Sequence, residues 1–133
     1  MSSFDAPRPR SAPEVITGTD LQGEPVTITM SETTLIVAIK QSCDGCRDFV
    51  RSELRELDGV AVIILSATGD VGAEWVDAVQ PIIVAPDALA QLDIRWPPFY
   101  VLVNPRERRV ISEGVVFGPS QVASEIAPYL TSS

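Results

Sequence analysis

Two continuous apolar runs set the middle of this chain. Leu35 to Ile39, ending at Lys40, is the first; Val60 to Leu65 is the second. Neither alternates with polar residues, so each predicts a strand covered on both sides, as in a parallel sheet. Between them, Cys46, Phe49, Val50, Leu54 and Leu57 recur at helical spacing. They predict an amphipathic helix over 44–57, closed by Asp58-Gly59. Its other face carries Asp48, Arg51, Glu53, Arg55 and Glu56, a solvated, self-paired surface. Strand, helix and strand make a βαβ unit.

The flanks are more broken. Val15-Ile16-Thr17 and Val26 to Thr29 predict a hairpin around a turn over 19–25, with Gly23 free to take positive φ. Val71, Trp75 and Val79 predict a short helix with Trp75 as a core anchor. Pro81 to Val84 is a short strand, and 87–92 supply one or two helical turns. Phe99 to Val103 is a strand, Asn104 to Glu107 its turn, and Arg109 to Glu113 an antiparallel return ended by Gly114. Pro119 opens a last helix with Val122, Ala123, Ile126 and Leu130 on its apolar face. Pro128 should kink or end it. The expected fold is α/β: a mixed central sheet flanked by helices, with an N-terminal β-hairpin. Residues 1–12, rich in Pro, Arg and Ser, read as a flexible arm, and 13–133 as one domain.

Charge and composition remove several classes. The 133 residues hold 10 basic and 18 acidic side chains, a net charge of −8. That balance argues against nucleic acid and anionic membrane as partners, and fits solubility or docking to a basic partner. Without histidine, Ser–His hydrolysis and His-ligated metal chemistry are excluded. No apolar stretch is long enough to span a bilayer, and the first residues lack the apolar core of a signal peptide. The expected compartment is cytoplasmic if the chain is complete. It is extracytoplasmic and membrane-anchored if a leader or anchor was removed. A monomer without cofactor or metal is expected.

The chemistry gathers at Gln41-Ser42-Cys43-Asp44-Gly45-Cys46-Arg47, which holds both cysteines of the chain. A CxxC between a strand and a helix reads as a redox site. At a helix N-terminus, free N–H groups and the macrodipole favour the thiolate of Cys43, the form that attacks a disulfide. Cys46, one turn on, is spaced to resolve the mixed disulfide. Gly45 eases the turn. Arg47 adds positive charge; Asp44 opposes it and holds the Cys43 pKa higher than a neutral residue would. Three plainer readings compete: half of a zinc site shared across a dimer, a structural disulfide, and two inert core thiols.

A second segment, Ile94-Arg95-Trp96-Pro97-Pro98-Phe99-Tyr100-Val101-Leu102-Val103-Asn104, joins the first in a resemblance to thioredoxin-fold proteins. With the stretch Pro13 to Val26 and its Asp20-Leu21-Gln22-Gly23 turn, the chain is similar to the TlpA-like and redoxin branch of thiol–disulfide oxidoreductases. The resemblance implies a thioredoxin-like fold and a cis-proline at Pro98, with Pro97 the less favoured alternative. It implies Cys43 as nucleophile, Cys46 as resolving thiol, and Pro98 shaping the groove and keeping metals off the thiols. Partners would be a protein disulfide or dithiol and an upstream electron donor or acceptor.

Three departures stand out. Ser42 replaces the family's usual Trp before the first cysteine. Val37 replaces the acid of the preceding strand, leaving Cys46 to water or to another acid such as Glu32. Pro97 precedes the cis-proline and has no N–H to offer a docked peptide. Trp96 is a candidate apolar lip for the partner, with simple packing as its alternative.

The expected function is thiol–disulfide exchange with protein disulfides, as a reductase. A non-catalytic thioredoxin-fold binding or assembly module is the alternative. A peroxiredoxin-type peroxidase is disfavoured, because Lys40 stands where that family needs Thr or Ser.

Overall fold

The computed structural model describes residues 12–40, 60–67, 82–94 and 96–130, together with Cys46, Phe49 and Leu57. Seven strands form one mixed sheet: β1 (Val15–Thr19), β2 (Pro25–Thr29), β3 (Thr34–Ile39), β4 (Ala61–Ser66), β5 (Ile82–Val84), β6 (Phe99–Asn104) and β7 (Arg109–Val115). Their order across the sheet is β2-β1-β5-β4-β3-β6-β7. β3, β4 and β5 run parallel, and every other pairing is antiparallel.

β3 lies inside the sheet because its sequence has no polar face: all of its residues are buried. Its alternate residues serve two cores. Ile36 and Ala38 join Ile16, Met30, Leu65, Val101 and Val103 on one side. Leu35, Val37 and Ile39 join Cys46, Phe49, Ile64, Tyr100 and Val122 on the other. The first core is covered by the hairpin and the short helix Pro86–Gln91, the second by the helix Pro119–Leu130 and the helical residues Cys46 and Phe49.

The hairpin forms where expected. The Asp20 carboxylate accepts from the N–H groups of Gln22 and Glu24 at 2.9 and 3.0 Å, and Gly23 takes φ 86°. β1 then meets β5 through one register pair, Thr19 opposite Val84. Gly18 makes that approach possible, since a Cβ there would overlap the Val84 carbonyl oxygen.

Two expectations need correction. Gly114 does not end β7; the strand continues to Val115. Gly114 sits opposite Tyr100, and a Cβ there would lie 2.9 Å from the phenol ring, so the glycine makes room within the strand. Pro128 does not end the last helix, which runs to Leu130. It falls in the final turn, two residues before the helix ends. The expected helix over Val71–Val79, with Trp75, lies outside the described residues, as do Val50, Leu54 and residues 1–11 of the expected arm over 1–12; its last residue, Ala12, is not free but buried in the first core, its N–H donating to the Arg108 carbonyl at 2.8 Å. No described helix is long and apolar enough to cross a membrane.

Candidate functional site

The strand register brings one end of the sheet into focus. β3, β4 and β5 all finish there, with Ile39 opposite Ser66 and Ser66 opposite Val84. β6 begins there, since Ala38 faces Phe99 across the antiparallel pair. Lys40, which leads into the cysteine stretch, and Pro98, which leads into β6, therefore share an edge. In open α/β sheets the carboxyl ends of the parallel strands are where ligands bind.

Ser42, Cys43, Asp44, Gly45 and Arg47 lie outside the described residues. Cys46 is helical and has no exposed surface. It packs in the core that holds Val37, Phe49 and Tyr100. A sulfur so enclosed is out of reach of another protein's disulfide.

The Pro97–Pro98 peptide bond is cis. Both prolines are half-buried. The Pro98 carbonyl accepts from the Val116 N–H at 3.3 Å, which ties this loop to the segment leaving β7. Trp96, just before it, is 75% exposed. Phe117 is 76% exposed and follows Val116 directly. Two open aromatic side chains thus come from the two segments that the Pro98–Val116 bond joins. Sequence reasoning missed Phe117 because it lies in no periodic pattern.

Glu32 does not serve Cys46. It precedes β3 and is exposed, while the cysteine stretch leaves the strand's other end. At about 3.3 Å per residue, the two ends of β3 are roughly 17 Å apart. Val37 is fully buried, with Tyr100 opposite it on β6.

Tyr100 is the polar group that the core does contain. Its hydroxyl donates to the Glu125 carboxylate at 2.7 Å. Burial, then the Glu125 hydrogen bond, pushes its pKa up to about 12. It is a fixed donor at neutral pH, not a general acid. Glu125 is held below its ordinary value, first by the Gln121 hydrogen bond and then by Tyr100. Gln121 donates to Glu125 at 2.6 Å and to the Val115 carbonyl at 2.9 Å. Its amide oxygen accepts from Phe117 at 2.8 Å and Gly118 at 3.4 Å, the return half of a capping box. The network fixes the helix start, and with it the loop that carries Phe117.

Solved structures match this architecture across nearly the whole chain. The thioredoxin domain of a thiol-disulfide oxidoreductase from Bacteroides vulgatus superposes with TM-score 0.64 at 19% identity, covering 91% of this chain and 96% of that one. The chain has a thioredoxin fold. A thio-disulfide isomerase from Thermus thermophilus gives TM-score 0.64 at 20% identity, over 96% of this chain and 99% of that one. A thioredoxin family thiol:disulfide interchange protein from Chlorobium tepidum gives 0.59 at 14%, over 93% and 98%. No protein-family model and no curated protein sequence matches the chain. In this thioredoxin fold, the mixed sheet and its N-terminal hairpin stand as expected from the sequence.

Proposed function

We propose that the protein is a thiol–disulfide oxidoreductase that reduces disulfides of other proteins through Cys43 and Cys46. One observation carries the reading. The pairing of Ala38 with Phe99 brings the exit of β3, from which the CxxC stretch runs, beside the Pro97-Pro98 segment that leads into β6.

The burial of Cys46 supports a division of labour. Cys43 is the thiol that meets the substrate. Its thiolate attacks one substrate sulfur, forming a mixed disulfide and releasing the other sulfur as a thiolate that takes up a proton. Cys46 then attacks the Cys43 sulfur. The Cys43–Cys46 disulfide forms, and the second substrate sulfur leaves as a thiol. Two electrons pass to the substrate, so an upstream dithiol donor must restore the pair. Asp44, Gly45, Arg47 and Ser42 shape the turn, and Trp96 and Phe117 are lips for the partner. Val37, buried where the resembling family carries an acid, cannot move the Cys46 proton, so release of the mixed disulfide is the slow step.

Insulin-disulfide reduction with dithiothreitol as donor tests the reading. The wild-type chain should accelerate it and Cys43→Ser should abolish it. Cys46→Ser should accumulate a mixed disulfide visible by mass. No acceleration by the wild type would leave a thioredoxin fold that binds without catalysis.

A further inference from the structure

The loop between β7 and the last helix carries an open aromatic ring on a fastened backbone. The Val116 N–H donates to the Pro98 carbonyl at 3.3 Å. The N–H groups of Phe117 and Gly118 donate to one oxygen, Gln121 Oε1, at 2.8 and 3.4 Å. Pro119 has no N–H to place. The Val115 carbonyl accepts from Gln121 Nε2 at 2.9 Å, and the Gly118 carbonyl from the Val122 N–H at 3.2 Å. Val116 is buried in the second core. Phe117, between these anchors, is 76% exposed.

One side chain does most of the fastening. A primary amide offers two donors and two acceptor lone pairs. Gln121 uses all four, the last on Glu125 Oε2 at 2.6 Å. The other Glu125 oxygen accepts from the Tyr100 hydroxyl at 2.7 Å, reaching it across Gly114, where a Cβ would come within 3.1 Å of that oxygen. The clamp therefore runs from the loop to a phenol in the core that holds Cys46. Capping the helix needs only the bonds to Oε1. The two bonds from Nε2 lock the amide and, through it, the loop. A rigid loop that leaves its aromatic ring in water suits docking, because a ring already ordered loses less freedom on association.

We propose that Gln121 is a positioning residue for substrate docking: it holds the loop so that Phe117 is presented, already ordered, to an apolar side chain that the partner carries beside its disulfide. The inference rests on the proposed reaction for the identity of the partner. The Val116–Pro98 bond sets the loop against the Pro97-Pro98 segment, so the ring stands on the same edge as the exit of β3. Ordered aromatic side chains are the usual anchors of such contacts.

The probe is the insulin B chain with its cysteines replaced by serine, titrated into the full-length protein while amide resonances are followed by NMR. Wild type should bind it, with shifts at Val116, Phe117 and Gly118. Gln121→Met keeps the side-chain length and removes its hydrogen bonds. It should weaken binding about fivefold. It should also lower the order parameter of the Phe117 amide from about 0.85 to below about 0.6. Phe117→Ala should weaken binding at least as much, and adding Gln121→Met to it should change nothing further. Gln121→Glu keeps an oxygen for the Phe117 and Gly118 N–H groups and should restore most of the affinity. Losing the cap lowers the melting temperature whatever the role of Gln121, so the coupling to Phe117 decides. No wild-type binding, unchanged binding in Gln121→Met, or additive losses in the double variant overturns the proposal. If Gln121→Met does not fold, wild type and Phe117→Ala decide: a rigid Phe117 amide whose ring is needed for binding upholds it, and either one missing overturns it. The probe never engages the cysteines. Docking that depends on Gln121 without insulin reduction would sink the redox reading alone, and insulin reduction without such docking would sink the positioning role alone.

Discussion

The two faces of the sheet are cut from the same strands, yet they enclose different things. Ile36 and Ala38 look into a core of aliphatic side chains closed by the hairpin and the helix Pro86–Gln91. Leu35, Val37 and Ile39, their immediate neighbours, look into a core that also holds Cys46 and Tyr100. Strand pleating alone produces the difference, because successive residues point to opposite sides. One face is packing. The other face combines packing with a buried cysteine and a hydrogen-bonded phenol.

The strongest way to break the comparison is a charge on each face of β3. Ile36→Asp and Val37→Asp should each destabilise the fold by about 3–5 kcal/mol, since either buries a carboxylate without a partner. Denaturant titration measures both. Burial should raise the new carboxyl pKa in both variants, but if the second face is the chemical one, only Val37→Asp should hasten release of the mixed disulfide. Equal kinetics in the two variants would erase the distinction.

A milder test is Gly114→Ala, which drives a methyl group into the Tyr100 ring. It should cost about 1–3 kcal/mol. Tyr100→Phe in the same background should recover little, because the contact is with ring carbon atoms.

Tyr100→Phe alone removes the 2.7 Å bond to Glu125 and should cost about 1 kcal/mol. The pH dependence follows the same pair. The Tyr100 pKa is raised on folding to about 12, so its contribution is complete below the unfolded value near 10 and fades as pH climbs to 12. The Glu125 pKa is depressed, so its contribution is present above the unfolded carboxylate value and is lost as pH falls through the folded one. Tyr100→Phe should flatten the alkaline limb of a stability–pH curve.

The smallest stability effect belongs to Trp96→Ala, within about 0.5 kcal/mol, because the side chain is exposed. Its effect should appear instead as a raised KM for a protein disulfide, with KM for a small disulfide unchanged.

How legible the molecule was depended on whether a residue acts through its neighbours in sequence or in space. β3 announces itself by an apolar run, and the hairpin by Asp20 and Gly23. Gly114 misled, because a glycine ends a strand as readily as it makes room for a ring, and the ring belongs to Tyr100 on another strand. Gln121 and Glu125 share a helix face at i and i+4, but nothing in that spacing names a buried phenol as their partner. Glu32 was near β3 in sequence and at the wrong end of it in space. Asp93 left no trace in sequence, since its left-handed backbone depends on where the preceding helix stops.

The central claim is that Cys43 and Cys46 form a reversible reducing pair. The most direct measurement equilibrates the protein in graded dithiothreitol or glutathione buffers, traps free thiols by alkylation and reads the mass. The account predicts a single two-electron transition to an intramolecular disulfide, at a potential toward the reducing end of this fold, about −270 mV. A transition near the oxidising end, about −120 mV, would make the protein a disulfide donor. The absence of any intramolecular disulfide in every buffer would contradict the claim outright.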